Sequence, residues 1–155
     1  MVRLRNYFNR ASPEILQEEV WFNLLFHFGL RGRETISQLD RTSLIFQNDS
    51  EGHRFVSINH STISKNVKCS LSSKEFSDGK SYRMYENAKL PLQCPVEALI
   101  LYFSKMKATS TALFPMPAKI SKESPIWYCE KKKLGQNELG QMMKKITSKA
   151  QLIIA

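Results

Sequence analysis

The side chains of this sequence that could do chemistry are mainly basic. The chain carries 23 lysines and arginines against 14 acidic residues, which gives a net charge of +9 at pH 7. Many of the lysines lie in the last third, where Lys131, Lys132 and Lys133 follow one another directly. Such an excess favours contact with a polyanion, because each neutralised phosphate releases condensed counterions. A basic surface that serves only solubility is the alternative that charge alone leaves open.

Other kinds of chemistry find no motif in this chain. The three cysteines, Cys69, Cys94 and Cys129, are too widely spaced for a metal knuckle or a disulfide framework, and we expect reduced thiols. Zinc-peptidase, P-loop and dinucleotide-binding signatures are absent, so we expect no metal and no cofactor. No apolar run approaches the roughly 20 residues of a membrane span, and no signal core follows the first arginines. We therefore expect neither a membrane protein nor a secreted one.

The first part of the chain predicts a buried helix. Ser12-Pro13-Glu14 combines a capping hydroxyl, a first-turn proline and an acid near the positive end of the helix dipole. Apolar residues at helical spacing continue to Phe28, and the helix should end at Gly29 or Gly32. A short helical turn is expected over 35–39. His27, on an apolar face, is expected to pack rather than to bind a ligand.

From Ser43 onward the pattern is that of short strands. Strands are expected at 44–46, 55–60 and 82–85, with a turn at 48–52 and a long polar hairpin loop at 61–80. Cys94-Pro95 should begin a second helix. A loop with Pro115 and Pro117 follows, then an aromatic strand or turn at 126–128 and a third helix from near Gln136.

This order predicts a single α+β domain over 1–155, with helices around a small three-stranded antiparallel sheet. Its regions are a lead-in at 1–11, a helical region at 12–40, a β-hairpin region at 41–90 and a basic helical region at 94–155.

Several short segments carry a resemblance to a known family. The segment from Phe28 to Glu34, Phe-Gly-Leu-Arg-Gly-Arg-Glu, followed by three strands, resembles the start of a tyrosine-recombinase catalytic core. The likeness is strongest to domains derived from Crypton transposons, the DUF3504-like regions at the C-terminal end of zinc-finger MYM-type and glutamine-rich nuclear proteins. The further matching pieces follow in the family's order: Tyr7-Phe8 through Pro13-Glu14, Ile63-Ser64-Lys65-Asn66, Arg83-Met84-Tyr85, Cys94-Pro95-Val96, Trp127-Tyr128 and Leu134-Gly135 through Met143.

The resemblance implies a phosphate-binding chemistry. In such enzymes a tyrosine attacks a phosphodiester, arginines hold the non-bridging oxygens, and a hairpin lysine protonates the leaving oxygen. It implies that Arg31 is the first phosphate-binding arginine, that Glu34 braces it, and that Lys65 is the hairpin lysine, with Lys68 as the alternative. Without the resemblance, Arg31 would pair with Glu34 or a carbonyl, and Lys65 would be an ordinary loop lysine.

Two parts of that machinery are missing from the sequence. None of the three histidines is followed by an arginine three residues later, so the family's His-x-x-Arg box is absent. The five tyrosines all lie upstream of the position where the nucleophile belongs. We therefore expect a shortened, catalytically incomplete domain that is not an enzyme. A true truncation and a gene-model artefact are both compatible with this sequence.

The expected function is nuclear association with the phosphate backbone of DNA. The basic residues expected to make it are Arg31, Lys65, Lys68, Lys131, Lys132 and Lys133. The lysine run could also be an import signal or a solvated turn, and we favour the turn. Trp127 and Tyr128 are expected to pack in a core rather than to stack on bases.

Two other interpretations stay open. The first is a chromatin or transcription module that binds a nuclear protein, or a second copy, through exposed apolar surface at Leu139, Met143, Ile146 and Leu152 to Ile154. The second is a partial gene product without a function of its own. Convergence of Arg31, Lys65 and the lysine run on one concave face would favour DNA, and a dominant apolar groove would favour a partner.

Overall fold

A computed structural model describes residues 2–30, 32–59, 82–119 and 123–151, apart from the side chains of Val2 and of residues 32–34. The helices in this part are α1 (Val2–Tyr7), α2 (Pro13–Phe28), α3 (Gly32–Ser37), α4 (Pro95–Ser104), α5 (Gln136–Gly140) and α6 (Met142–Lys149). The strands are β1 (Leu44–Asn48), β2 (Arg54–Ile58), β3 (Met84–Tyr85), β4 (Pro115–Pro117) and β5 (Tyr128–Lys133). Short 3-10 turns cover Arg41–Ser43 and Pro91–Gln93.

Helix α2 begins and ends where its local chemistry predicts. The Ser12 hydroxyl accepts a hydrogen bond from the Ile15 N–H at 3.2 Å, and Pro13 occupies the first turn, where its missing N–H costs nothing. The helix ends at Gly29, whose φ of 58° lies in the left-handed region that glycine adopts without strain. The prediction of a buried helix is confirmed by its buried apolar residues, Leu16, Val20, Trp21, Leu24 and Phe28.

Strands β1, β2 and β3 form one antiparallel sheet in that order. Phe46 lies opposite Val56, and Val56 lies opposite Met84 on the next strand. The β1–β2 turn is held by Asp49, whose carboxylate accepts hydrogen bonds from the N–H groups of Glu51 and His53. Helices together with this small sheet confirm the predicted α+β class. The expected loop at 61–80 lies outside the described residues.

Helix α4 packs against α2 and completes the core between them. Its first turn is capped by Cys94, whose sulfur accepts hydrogen bonds from the Glu97 N–H at 3.5 Å and the Asn87 N–H at 3.1 Å. Tyr102 is fully buried and donates a hydrogen bond to the Leu113 carbonyl at 2.8 Å. The helix predicted to begin at Cys94-Pro95 is therefore confirmed.

A second, two-stranded sheet pairs β4 with β5, with Pro115 opposite Lys133 and Pro117 opposite Tyr128. We expected a loop at the two prolines, and that expectation is wrong. Proline cannot donate to a sheet ladder, but an edge strand tolerates it because one side of its backbone needs no partner. The solvated turn that we favoured for the lysine run is also wrong, since the run forms the second half of β5. Region 94–155 is thus not wholly helical.

The chain near Gln136 is helical, as predicted, but it breaks at Gln141 into α5 and α6. Leu139 and Ile146 are buried, because α5 packs against α3 and α6 packs against α2. The expectation that these two residues form an exposed apolar surface is therefore wrong. Met143 is 41% exposed, and residues 152–155 lie outside the described part of the chain.

The segment 1–11, expected as a lead-in, contains helix α1 and ends in a buried ion pair. The Arg10 guanidinium donates to both carboxylate oxygens of Glu19, at 3.0 and 2.9 Å, and to the carbonyls of Pro91 and Cys94. Arg10 has a φ of 57°, a left-handed conformation that costs a residue with a side chain about 1–2 kcal/mol. Burial raises the pKa of Glu19, and the hydrogen bonds from Arg10 oppose that rise. The contacts between Arg10 and Glu19 thus offset the strain of the left-handed Arg10 backbone and the cost of burying the Glu19 carboxylate.

Replacing Arg10 with methionine should reduce the free energy of unfolding by about 3–5 kcal/mol, because the buried Glu19 carboxylate loses its partner. Urea denaturation at neutral pH measures this loss. The matched control is Lys107→Met, which breaks the exposed Lys107–Glu130 pair and should cost less than about 1 kcal/mol. Adding Glu19→Gln to Arg10→Met should recover part of the lost stability. Equal losses for Arg10→Met and Lys107→Met would contradict this account.

Candidate nucleic-acid interface

The C-terminal half of strand β5 presents Lys131, Lys132 and Lys133 to solvent. Within the described residues, none of the three ammonium groups has an ion-pair or hydrogen-bond partner. An ammonium group without a protein partner can take a phosphate oxygen without first breaking an internal contact. The row is therefore an ordered set of available positive charges.

The aromatic start of β5 fixes this row to the core. The Trp127 backbone N–H donates to the Lys105 carbonyl at 2.8 Å, and the Lys105 ammonium lies 4.6 Å from the centre of the Trp127 ring. The Tyr128 hydroxyl donates to the Pro13 carbonyl, at the start of α2, at 2.7 Å. Both aromatic side chains are buried, which confirms that they pack in the core.

Glu130, the acidic residue of β5, has hydrogen-bond partners within the protein. The Glu130 carboxylate accepts hydrogen bonds from the Thr109 hydroxyl at 2.6 Å and from the Lys107 ammonium at 3.1 Å. These two contacts, with a smaller contribution from nearby Lys131, hold the pKa of Glu130 below its ordinary value. Glu130 therefore stays ionised and bound to other partners beside the lysine row.

An open cleft of about 490 Å³ lies beside the end of β5. Its lining includes Lys133 and Leu134, Ser37 at the end of α3, and Asp40. The Asp40 carboxylate accepts hydrogen bonds from the Ser43 N–H at 3.0 Å and from the Thr42 hydroxyl at 2.6 Å. Among the described residues that line the cleft, Lys133 is the charged group without a protein partner. The cleft thus adds a concave border to one end of the lysine row.

The remaining site residues predicted from the sequence lie outside what the structure describes. These are Arg31, Lys65 and Lys68, together with the side chain of Glu34, whose backbone belongs to α3. Arg31 directly precedes α3 in the sequence, and Lys65 and Lys68 lie between β2 and β3. Their proximity to the lysine row stays a prediction.

Sequence reasoning assigned no role to Arg83, which lies directly before β3. Its guanidinium lies 4.4 Å from the centre of the Phe55 ring and donates a hydrogen bond to the Tyr85 hydroxyl at 3.1 Å. Arg83 is exposed, and among the described residues it has no acidic partner. The two tyrosines near Arg83 in the sequence, Tyr82 and Tyr85, were the available signal. Arg83 is therefore a further exposed cation, and it follows in the chain the segment that carries Lys65 and Lys68.

Three of the tyrosines are bound within the protein. Tyr102 and Tyr128 are buried and donate their hydroxyl protons to backbone carbonyls, while Tyr7 donates to the Glu18 carboxylate. Burial raises the pKa of all three phenols above the ordinary value. A phenol that is buried, protonated and hydrogen-bonded is a poor nucleophile.

Metal, thiol and membrane features are limited in the part of the chain that the structure covers. No group of three or more metal-ligating side chains occurs among the described residues. Cys94 and Cys129 are free thiols, the first buried and the second half-buried. None of the described helices has the length and apolar character needed to span a bilayer. Burial lowers the pKa of His27 on α2, which keeps its imidazole neutral at physiological pH.

The described geometry is that of an α+β domain that carries a row of unpartnered lysines on an edge strand. A family model described as a domain of unknown function, DUF3504, matches residues 4–148. Because the match spans nearly the whole chain, this protein belongs to the DUF3504 family. No curated protein and no solved structure matches the chain.

The buried phenols predict a loss of stability in alkaline solution. Their raised pKa values mean that their stabilising contribution is complete below about pH 10 and is lost as the pH rises above it. The free energy of unfolding should therefore fall above about pH 10, and less steeply in Tyr102→Phe/Tyr128→Phe. Phenolate absorbance should show fewer ionised tyrosines in the folded protein than in guanidinium at about pH 11. Identical titrations of the folded and unfolded chain would exclude this explanation.

Proposed function

We propose that this domain binds the phosphate backbone of DNA in the nucleus and does not cut it. The observation that carries the proposal is the row of three exposed, unpartnered lysines on β5. On a strand, residues two apart lie about 6.6 Å apart, so Lys131 and Lys133 are close enough to contact phosphates of one DNA strand together. A strand holds this spacing before any ligand arrives.

The disposition of acidic residues supports the same function. Most carboxylates of the described part already have hydrogen-bond or ion-pair partners within the domain, so few of them are available to pair with the lysine row. Those with internal hydrogen bonds or ion pairs are Glu18, Glu19, Asp40, Asp49, Glu86, Glu97, Glu130 and Glu138. The surplus of +9 is therefore expected to face solvent and to attract a polyanion.

The resemblance to recombinase domains of Crypton origin adds a second group of contacts. It implies that Arg31 and either Lys65 or Lys68 once held a phosphate, and the order α2, Arg31, α3 and three strands is compatible with that origin. We propose that these residues still contact DNA together with the lysine row. Contacts of this kind do not read base edges, so binding should be only weakly sequence-selective.

We propose binding without cleavage because these 155 residues lack groups that the cleavage of a DNA strand requires. The sequence contains no His-x-x-Arg box. Tyr102 and Tyr128 are buried with their hydroxyls bound to carbonyls, which removes them as nucleophiles. By the resemblance, strand cleavage needs both the box and an accessible tyrosine.

The binding proposal predicts salt-dependent affinity for a labelled duplex, measured by fluorescence anisotropy over a salt series. The variant Lys131→Gln/Lys132→Gln/Lys133→Gln should bind more weakly, and its salt slope should fall by about one for each phosphate that the variant no longer neutralises. Lys144→Gln/Lys145→Gln, which removes exposed charges from α6, is the control and should change the slope less. An affinity that is absent or insensitive to salt would overturn the proposal.

In the same assay Arg31→Ala and Lys65→Ala should each weaken binding, and Lys68→Ala should do so in place of Lys65→Ala if Lys68 is the hairpin lysine. Unchanged affinity in all three variants would limit the interface to the lysine row.

The proposal that the domain is not an enzyme predicts no covalent adduct with nicked suicide DNA. The substrate traps a phosphotyrosine bond as a slower band in a denaturing gel. A known tyrosine recombinase on its own substrate serves as the positive control. A trapped adduct would show that a nucleophile is present after all, and replacing the exposed Tyr82 and Tyr85 with phenylalanine would then identify it.

A further inference from the structure

An apolar groove lies between α1, α2 and the 3-10 turn at Pro91–Gln93, apart from the residues assigned to DNA. Its volume is about 240 Å³. The apolar side chains that line it are Leu4, Phe8, Phe22, Phe26 and Leu92. Because these residues come from three separate parts of the chain, the groove is a product of tertiary packing and not of one amphipathic helix.

The groove leaves large apolar side chains in solvent. Phe26 is 67% exposed and Leu92 is 81% exposed. The rings of Phe8 and Phe22 lie 5.7 Å apart between centroids, and Phe22 stacks on Phe26 at 6.1 Å. A continuous aromatic ladder thus runs from the partly buried Phe8 to the exposed Phe26. Contiguous exposed apolar surface of this kind marks an interaction site more often than single exposed residues do.

The charged groups that line the groove are positive or neutralised. Arg5 is exposed, and among the described residues it has no partner. Glu19, the carboxylate in the lining, is bound by Arg10. His27 is neutral because its burial lowers its pKa. The polar rim is supplied by amide side chains, those of Asn23, Asn87 and Gln93.

The volume of the groove and the charge of its lining indicate which kind of molecule it binds. A groove of about 240 Å³ is smaller than the roughly 300–1,000 Å³ of typical small-molecule sites, but it can take the few apolar anchors of a docked helix. A second copy of this chain would bring a further charge of +9 against the first, which disfavours self-association. A nucleic acid would find one unpartnered cation among apolar side chains. An amphipathic peptide with an acidic residue complements both the apolar lining and the positive charge of Arg5.

We infer that this groove docks a short amphipathic helix of a partner protein, with apolar anchors against Phe26 and Leu92 and an acidic residue facing Arg5. The inference goes beyond DNA binding, because it uses none of the residues assigned to phosphate. It also places the partner-binding surface on α1, α2 and the Pro91–Gln93 turn, whereas the sequence suggested residues of the C-terminal helices.

The test uses a phage-displayed library of random peptides of about 14 residues. The library is selected on the 155-residue chain and counter-selected on Phe26→Ser/Leu92→Ser. Both replaced side chains are mostly exposed, so this variant should keep its fold, which circular dichroism and melting temperature check. Selected peptides should combine acidic residues with leucine, phenylalanine or tryptophan at three- and four-residue spacing.

The most enriched peptide is then labelled and titrated by fluorescence polarisation. Phe26→Ser/Leu92→Ser should weaken its binding at least about tenfold, and Arg5→Glu about threefold to tenfold. Met143→Ala removes an exposed apolar side chain from α6 and should leave binding unchanged. Excess duplex DNA should not displace the peptide.

Four outcomes of the peptide experiments would overturn the inference. They are a library without enrichment, a basic consensus, equal binding by the groove variant, and displacement by duplex DNA. A dimer in light scattering that Phe26→Ser/Leu92→Ser converts to a monomer would also overturn it, since the groove would then serve self-association.

Discussion

Three consecutive polar residues on helix α2, Gln17, Glu18 and Glu19, are buried, and the rest of the structure depends on how they are satisfied. They are 2%, 3% and 4% exposed. A buried amide or carboxylate without a partner costs several kcal/mol, so each of the three must be met by a specific donor or acceptor. Their partners come from other parts of the chain, namely Tyr7, Arg10, Tyr102, Pro115 and Lys149. Helix α2 is thereby tied by directional contacts to α1, to α4, to β4 and to α6, in addition to its apolar packing.

The position of the basic row follows from this arrangement. Gln17 donates a hydrogen bond to the Pro115 carbonyl of β4 at 2.7 Å, and β4 is the strand on which β5 is paired. The Tyr128 hydroxyl adds a second connection, from the start of β5 to Pro13 at the start of α2. The lysines are therefore held by two contacts with one helix. Glu18 and Glu19, the carboxylates of this buried row, do not face solvent.

The parts of the fold that sequence could predict are those with local signals. The cap at Ser12, the left-handed Gly29 and the short apolar runs of β1 and β2 depend on neighbours in the chain, and those elements lie close to where they were expected. An acidic residue such as Glu19 suggests that its side of the helix faces solvent. Glu19 is buried because Arg10 pairs with it, and the periodicity of the helix does not show that partner. The second sheet was not predicted for a comparable reason. The two prolines of β4 suggested a loop, and the pairing of β4 with β5 depends on tertiary contacts that the local sequence does not show. In the candidate site, sequence identified the lysine run but not its strand conformation, nor the groove beside Phe26.

The Arg10–Glu19 pair connects the core to the second surface. The Arg10 guanidinium donates to the carbonyls of Pro91 and Cys94, at 3.3 and 3.1 Å, and these residues flank the turn that carries Leu92. Glu19 itself lines the groove. The Arg10–Glu19 pair therefore links the turn that carries Leu92 to α2, the helix that carries Phe26. A peptide that covered the groove would exclude water from this pair and strengthen its attraction. Gln17 and Glu19 lie two residues apart on α2. Through Gln17 the buried polar residues contact the sheet that carries the lysines, and through Glu19 and Arg10 they contact the turn that lines the apolar groove.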